Sequence, residues 1–205
     1  MYTPNNCKFN DRGEMVSFMK RYSFATMVTN IDGKPVATQL PFVVEVTGER
    51  LLLSSHFALA NEQSGHIEQQ NSLIIFSEPH AYISPAHYDK KESVPTWDYV
   101  AVHAYGIAKI VSEAEQKMKL LEQMIGFYEP EYHQQWSKLP DKFKHGMLKG
   151  IVAFEIEVAE LQGQKKLSQN KTADERRRIV EQLQQSDYGV ERDLAAYIKE
   201  LDTGL

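Results

Sequence analysis

The sequence predicts an α+β fold: an antiparallel split or Greek-key β-barrel with peripheral helices and a helical C-terminal extension. About seven short segments carry the apolar–polar alternation of strands. The early ones are joined by hairpin-length turns, which makes them antiparallel. Helical periodicities with capping signals interrupt the strands without alternating regularly with them. A doubly wound parallel sheet would need that regular alternation and a glycine-rich first turn, and the chain has neither.

Taken in order, Asn10 and Asp11 can cap a first helix with Met15, Phe18 and Met19 on its apolar side and Tyr22 near its end. Phe24–Thr29 reads as a strand, Asp32-Gly33 as a hairpin turn, and Pro35–Val46 as the partner strand. Thr47-Gly48 turns the chain into Arg50–Ser55, completing a three-stranded meander. A polar helical insert is expected over Leu59–Gln70, then buried strands at Leu73–Phe76 and, after Pro79, Ala81–Ser84. Pro85–Pro95 is a loop, and Trp97–Val111 is the longest strand pattern. Ser112 and Glu115 form a capping box for a helix reaching about Tyr128, with Met118, Leu121, Met124 and Ile125 at helical spacing. Trp136 falls among polar loop residues, Ile151–Val158 is the last strand, and Thr172 with Glu175 opens two exposed, charged C-terminal helices.

At 205 residues, 42% hydrophobic and 25% charged, the chain is ordinary for one globular domain and too apolar for disorder. A single domain over residues 1–205 is expected, with a helical extension from about residue 171. Cys7 is the one cysteine, so no internal disulfide can form, which fits a reducing compartment. No apolar run approaches the roughly 20 residues of a membrane helix, and the first ten residues lack a signal-peptide pattern. A cytoplasmic location is the expectation. The net charge of −5 means that DNA binding would require a local basic patch. The best patch is Lys165, Lys166, Lys171, Arg176, Arg177 and Arg178, but consecutive arginines on a helix fan out by about 100° each and form no single stripe. There is no helix-turn-helix signature.

The densest chemistry lies between Glu78 and Gly106, where Tyr82, Tyr88, Trp97, Tyr99 and Tyr105 accompany His80, His87 and His103. Aromatics with polar tips stack on a planar ligand and donate hydrogen bonds to it; the alternative is packing in a barrel wall. The three histidines lack the converging spacing and the cysteine partners of a zinc site, so no metal site is assigned. Ser84 and Ser168 sit in no nucleophile elbow and there is no glycine-rich phosphate loop, so no catalytic residue is assigned either.

Pro79-His-Ala-Tyr-Ile-Ser-Pro85, Val94-Pro-Thr-Trp-Asp-Tyr99, Val102-His-Ala-Tyr-Gly106 and Lys166-Leu-Ser-Gln-Asn170, together with Met1-Tyr-Thr-Pro4 and Thr38-Gln-Leu-Pro41, closely resemble the signatures of the PaiB family. The match spans Met1 to about Glu181. That family is described as FMN-binding split-barrel negative transcriptional regulators, linked to repression of protease production and of sporulation. The resemblance implies the split barrel, a homodimer with sites at the subunit interface, and a repressor's role in transcription regulation, with DNA binding. It implies that Thr38, Gln39 and Leu40 face the flavin, and that the turn carrying Ser55, His56 and Asn61 offers amides to its phosphate at the start of a helix. Tyr82 and Ser84 would line the wall, Trp97 and Tyr99 would close it, and Lys166, Ser168, Gln169 and Asn170 would form a polar strip reaching the cofactor. The family turn reads His-x-Ala-Arg-Ala-Asn-Pro; here Leu59 stands for the arginine and Glu62 for the proline, with Lys166 as the candidate replacement cation. Besides the non-enzymatic regulator, a flavin-dependent oxidoreductase and a haem-handling protein using His103 share this fold class. Reductase turnover would mark the first alternative and a Soret band the second.

Overall fold

Asp32 and Gly33 take φ values of 50° and 82°, the left-handed backbone of a two-residue hairpin turn. They join β1 (Phe24–Ile31) to β2 (Lys34–Pro41), paired without a break from Phe24↔Pro41 to Ile31↔Lys34. The computed structural model describes residues 1–203. Its other strands are β3 (Val43–Thr47), β4 (Arg50–Ala58), β5 (Asn71–Ile83), β6 (Thr96–Val111), β7 (Ile151–Glu157) and β8 (Glu160–Lys166). The helices are α1 (Arg12–Arg21), α2 (Ala114–Tyr128), α3 (His133–Trp136), α4 (Asp141–Leu148), α5 (Ala173–Gln184) and α6 (Gly189–Thr203). The strands are hydrogen-bonded in the order β2-β1-β5-β6-β7-β4-β3, with β8 on β6, and the β1–β2, β1–β5, β3–β4, β4–β7 and β6–β7 pairs are antiparallel. β2 and β3 end this order, so the barrel is split, and the fold is α+β as the sequence predicts.

The chain forms two compact units. One holds Met1–Met15, Ser77–Val102 and the chain from Gln162 onward; the other holds Val16–Phe76 and His103–Leu161. In the second unit Phe42, Phe57, Phe76 and Phe154 are fully buried, with Phe57 stacked on Phe154 at 5.0 Å between ring centroids. α2 lays Leu120 and Met124 on Val43, Val111 and Ala153. Gly106 is required there, because a Cβ would lie 2.5 Å from Ile156 Cγ2 and 2.6 Å from the Glu157 carbonyl oxygen. In the first unit Phe9, Ile83, Val100, Leu167, Ile179, Leu194 and Ile198 are buried. The C-terminal helices are therefore amphipathic, not exposed all round.

Several sequence expectations are corrected. The segment Pro35–Val46 is two strands, because Pro41 cannot donate to a ladder and the Phe42 amide bonds to the Ser23 carbonyl instead. The three-stranded meander is thus two hairpins, β1–β2 and β3–β4, whose outer strands end the sheet at opposite sides of the strand order. Leu59–Gln70 is not a helix: only the 3₁₀ turn Glu62–Gly65 forms, since Gln63 is drawn inward by side-chain bonds. Leu73–Phe76 and Ala81–Ile83 belong to one strand, β5, with Pro79 inside it, and Ser84 lies just past its end. Ser72, Ile74 and Phe76 are buried, then Pro79, Ala81 and Ile83, so the alternation slips by one residue at Ser77-Glu78, as a bulge produces. α2 begins at Ala114, which puts Glu115 one position short of a capping-box partner, and Ser112 caps nothing. The capping box at Thr172 and Glu175 is present. Trp136 is buried in α3 and donates to Glu122 at 3.2 Å. β8 follows the strand expected to be last; its Leu-Gln-Gly-Gln run conceals an inward Gln164.

Candidate functional site

The residues singled out in the sequence fall into separate groups. In the unit built on Val16–Phe76, Thr38 on β2 donates to Gln63 Oε1 at 2.7 Å and accepts from Asn61 Nδ2 at 3.0 Å. Gln63 is fully buried, and its Nε2 donates to Thr29 Oγ1 at 2.9 Å and to the Met27 carbonyl at 3.1 Å. Sequence reasoning missed Gln63; a lone glutamine in a polar stretch gives no sign that two strands will close around its amide. Gln39 is exposed on β2 and Leu40 is buried. Ser55 is buried and donates to the Pro41 carbonyl at 2.7 Å, holding the junction of β2 and β3. His56 Nδ1 is buried without a hydrogen-bond partner, and burial lowers the imidazole's pKa.

The turn after β4 differs from a helix N-terminus in a way that matters for an anion. The amides of Leu59, Asn61, Gln63 and Ser64 are bonded to the Gly150 and Ala58 carbonyls, the Asn61 side chain and the Asn61 carbonyl respectively. Among the described residues the amides of Ala60 and Glu62 are left over. The amide cradle is thus two N–H groups, one of them that of an acidic residue, Glu62, with Leu59 61% exposed where a cation would serve.

In the other unit the aromatic cluster splits by face. β5 and β6 present His80, Tyr82 and Trp97 outward: Trp97 lies 6.0 Å from Tyr82, edge-on at 72°, and 6.1 Å from His80. Tyr82 is 50% and Trp97 55% exposed, unusual for side chains of this size. Tyr99 is half-buried. Ser84 accepts from the Ala86 amide at 3.2 Å and caps a 3₁₀ turn, a structural duty.

The Lys166–Asn170 strip is folded inward. Lys166 Nζ donates to Thr96 Oγ1 and to the Trp97 carbonyl and lies 3.9 Å from Asp98 Oδ1. Ser168, with a left-handed φ of 55°, donates to Asp98 Oδ2 at 2.6 Å. Gln169 bonds the Leu167 amide and the Lys165 carbonyl, and Asn170 is exposed. These residues border a cavity of about 360 Å³ with Cys7, Tyr88 and Asp98 on its wall. Burial raises the pKa of the Asp98 carboxyl, opposed by the Ser168 hydrogen bond and the Lys166 charge, and it also raises those of Cys7 and Tyr88. Asp98 is the key residue that the sequence concealed, as one acid between two aromatics in a strand.

The basic cluster is paired within its own unit. Arg177 meets Asp174 and Glu181, Arg178 meets Asp89 and the His87 carbonyl, and Lys165 meets Glu14. No helix among the described residues is long and apolar enough to cross a membrane.

Residues 1–160 match the family described as "Putative FMN-binding domain". The chain is 38% identical over 190 residues to "Protease synthase and sporulation protein PAI 2" of Bacillus subtilis (strain 168), covering 91% of each chain. Among solved structures it is similar to the flavocytochrome Anf3 from Azotobacter vinelandii, with 15% identity, a TM-score of 0.61, and 78% of this chain and 69% of that one covered. It is also similar to the FAD and heme binding protein from Mycobacterium smegmatis, with 13% identity, a TM-score of 0.62, and 82% and 77% covered. At these identities the structural likeness defines the fold.

Proposed function

The chain belongs to the PaiB family, whose common domain is of the FMN-binding type, and from that premise we propose that it is a flavin-holding regulator that acts as a homodimer in the cytoplasm and performs no turnover of its own. The observation that carries the reading is the exposed face of Tyr82, Trp97 and His80. Large aromatic rings left half in water are found where a planar ligand or a second subunit covers them. Within that reading Tyr82 and Trp97, with Tyr99 beside them, form a stacking face for a flavin ring, and in the other unit Gln39 and the turn after β4 are the groups offered to a flavin's polar edge and phosphate. Thr38 and Asn61 serve indirectly: their bonds to Gln63 fix the β2 surface and the turn after β4. The phosphate is held at that turn by few groups, the Ala60 and Glu62 amides. Ser168 and Gln169 have their side chains committed to their own unit, so they position the fold and do not contact the cofactor. When bound, a flavin supplies a redox-active, light-absorbing ring. The regulatory role is drawn from the relative named for protease synthesis and sporulation; with the arginines paired internally, it is exerted through a partner protein or a sensed metabolite and not by an open basic DNA-binding face.

The test is a titration of wild type and Leu59→Arg with FMN and with riboflavin at two salt concentrations. Position 59 is exposed, so the arginine is accommodated without repacking. FMN affinity should rise by about tenfold or more from a charge-assisted contact, riboflavin affinity should not, and the gain should shrink with salt. Trp97→Ala and Tyr82→Ala should weaken both ligands. No binding of either flavin, or an equal gain for riboflavin, would overturn the assignment.

A further inference from the structure

We propose that the cavity beside Asp98 is a binding site for a small hydroxylated organic anion, distinct from the flavin and able to bind without it. Its volume, about 360 Å³, lies in the range of small-molecule sites. It is enclosed by the N-terminal arm at Cys7, the loop at Val94 and Pro95, and the turn that runs from Lys166 to Lys171.

Two buried polar atoms on this wall lack a partner. Asp98 is fully buried; its Oδ2 receives the Ser168 hydroxyl, while its Oδ1 accepts no hydrogen bond. The Tyr88 hydroxyl, on a residue 9% exposed, is unpartnered as well. Buried polar groups are normally satisfied, and two exceptions facing one cavity indicate what an occupant must bring. Asp98 asks for a hydrogen-bond donor, and the Tyr88 hydroxyl can donate to an acceptor. Ser168 holds a left-handed backbone that is rare for a residue with a side chain and that serves to aim its hydroxyl at Asp98.

Charge decides the class of ligand. Lys166 stands 3.9 Å from Asp98, so those two formal charges offset one another. Lys171 makes no ion pair among the described residues; its ammonium lies 3.5 Å from the centroid of the Tyr88 ring, held there by a cation–π contact. The Glu175 carboxylate also feels the Lys171 charge, but its two oxygens are taken by the Asp89 and Thr172 amides, so the Lys171 ammonium keeps its donors beside the unused Tyr88 hydroxyl, and the two together suit a carboxylate. A hydroxyl on the same ligand satisfies Asp98 Oδ1. An amine in its place would bring a second cation against Lys166. Val94 and Pro95 cover the carbon skeleton. The turn that holds the ligand leads directly into Thr172, the N-cap of α5, so occupancy bears on how that helix is anchored.

Cys7 lines the cavity and is the one cysteine in the chain, so its alkylation by iodoacetamide, read by intact mass, reports access to the site. The probes are L-malate and D-gluconate, with succinate lacking the hydroxyl and inorganic phosphate lacking the carbon skeleton. Thermal melting is followed in parallel, because a buried thiol reacts slowly. A hydroxy acid should slow alkylation saturably by about tenfold and raise Tm, and succinate should bind about tenfold more weakly. Lys171→Met and Tyr88→Phe should each lose about tenfold in affinity with an unchanged circular dichroism spectrum. Absence of both protection and stabilisation with either hydroxy acid would overturn the proposal, as would equal effects from succinate or phosphate, or undiminished protection in Lys171→Met. Measuring with and without saturating FMN separates the two readings: protection that persists in a protein that binds no FMN retains this site and removes the flavin.

Discussion

Single side chains here carry more than the sequence suggests. Gln63 is the clearest case, because one amide links β1, β2 and the turn after β4. Gln63→Leu keeps the bulk but leaves Thr29, Thr38 and the Met27 carbonyl short of partners; it should cost about 2–4 kcal/mol in urea unfolding. Asp98 has the opposite sign. Its folded pKa lies above the unfolded value because burial disfavours the charge. The native state then binds the proton more tightly, so the carboxyl is without cost below the unfolded pKa and lowers stability progressively as pH rises through the folded one. Asp98→Asn removes that loss while keeping an acceptor for Ser168. The stability gain over wild type should be near zero below the ordinary aspartate range, grow as pH rises above it, and then level off. Melting curves across that range check it, and a difference that shrinks with rising pH would refute the assignment.

At the scale of elements, α5 is anchored at its first turn. Thr172 caps the Glu175 amide at 3.2 Å, while Glu175 reaches back to the Thr172 amide at 3.0 Å and to the Asp89 amide at 2.9 Å. Thr172→Ala should cost about 1 kcal/mol by chemical denaturation. Glu175→Gln, which keeps shape but weakens the charge-assisted bonds to two amides, should cost at least as much. This box was legible in the sequence because its signal is local: a threonine three residues before a glutamate. So were α1, with Asp11 accepting from the Glu14 amide, the Asp32-Gly33 turn and the long alternation of β6. What could not be read there depended on distant partners. β8 has a polar sequence and is a strand because it pairs with β6, while Gly163 admits the N-terminal arm so closely that a Cβ would meet the Phe9 carbonyl oxygen at 2.6 Å. The helix expected at Leu59–Gln70 gives way because strand-borne hydroxyls capture Gln63. The aromatic face was visible as a cluster of residue types, but the division between outward Tyr82 and Trp97 and inward Asp98 is a product of the sheet, and the inward Tyr88 is a product of the 3₁₀ turn after β5.

For the molecule as a whole, the half-exposed Tyr82 and Trp97 are the reason to expect a dimer. Light scattering should return twice the 23.5 kDa of one chain, and a monomer mass at working concentration would refute it. Trp136 is no neutral control in such work: it is 8% exposed with its indole N–H bonded, so its removal opens the core. The slip in β5 lies just before His80 and Tyr82 and shapes how they meet that surface. Ser77 and Glu78 are both exposed, and their identities are free to drift. Their number is not. Deleting either one would remove the extra residue of the bulge and leave unbroken alternation, with Pro79, Ala81 and Ile83 still inward and His80 and Tyr82 still outward, but it would take away the local bend and added twist that set the angle at which those rings stand. This short stretch therefore holds its information in shape: it is tolerant of substitution, and its loss would re-aim the aromatic rings without reversing the strand.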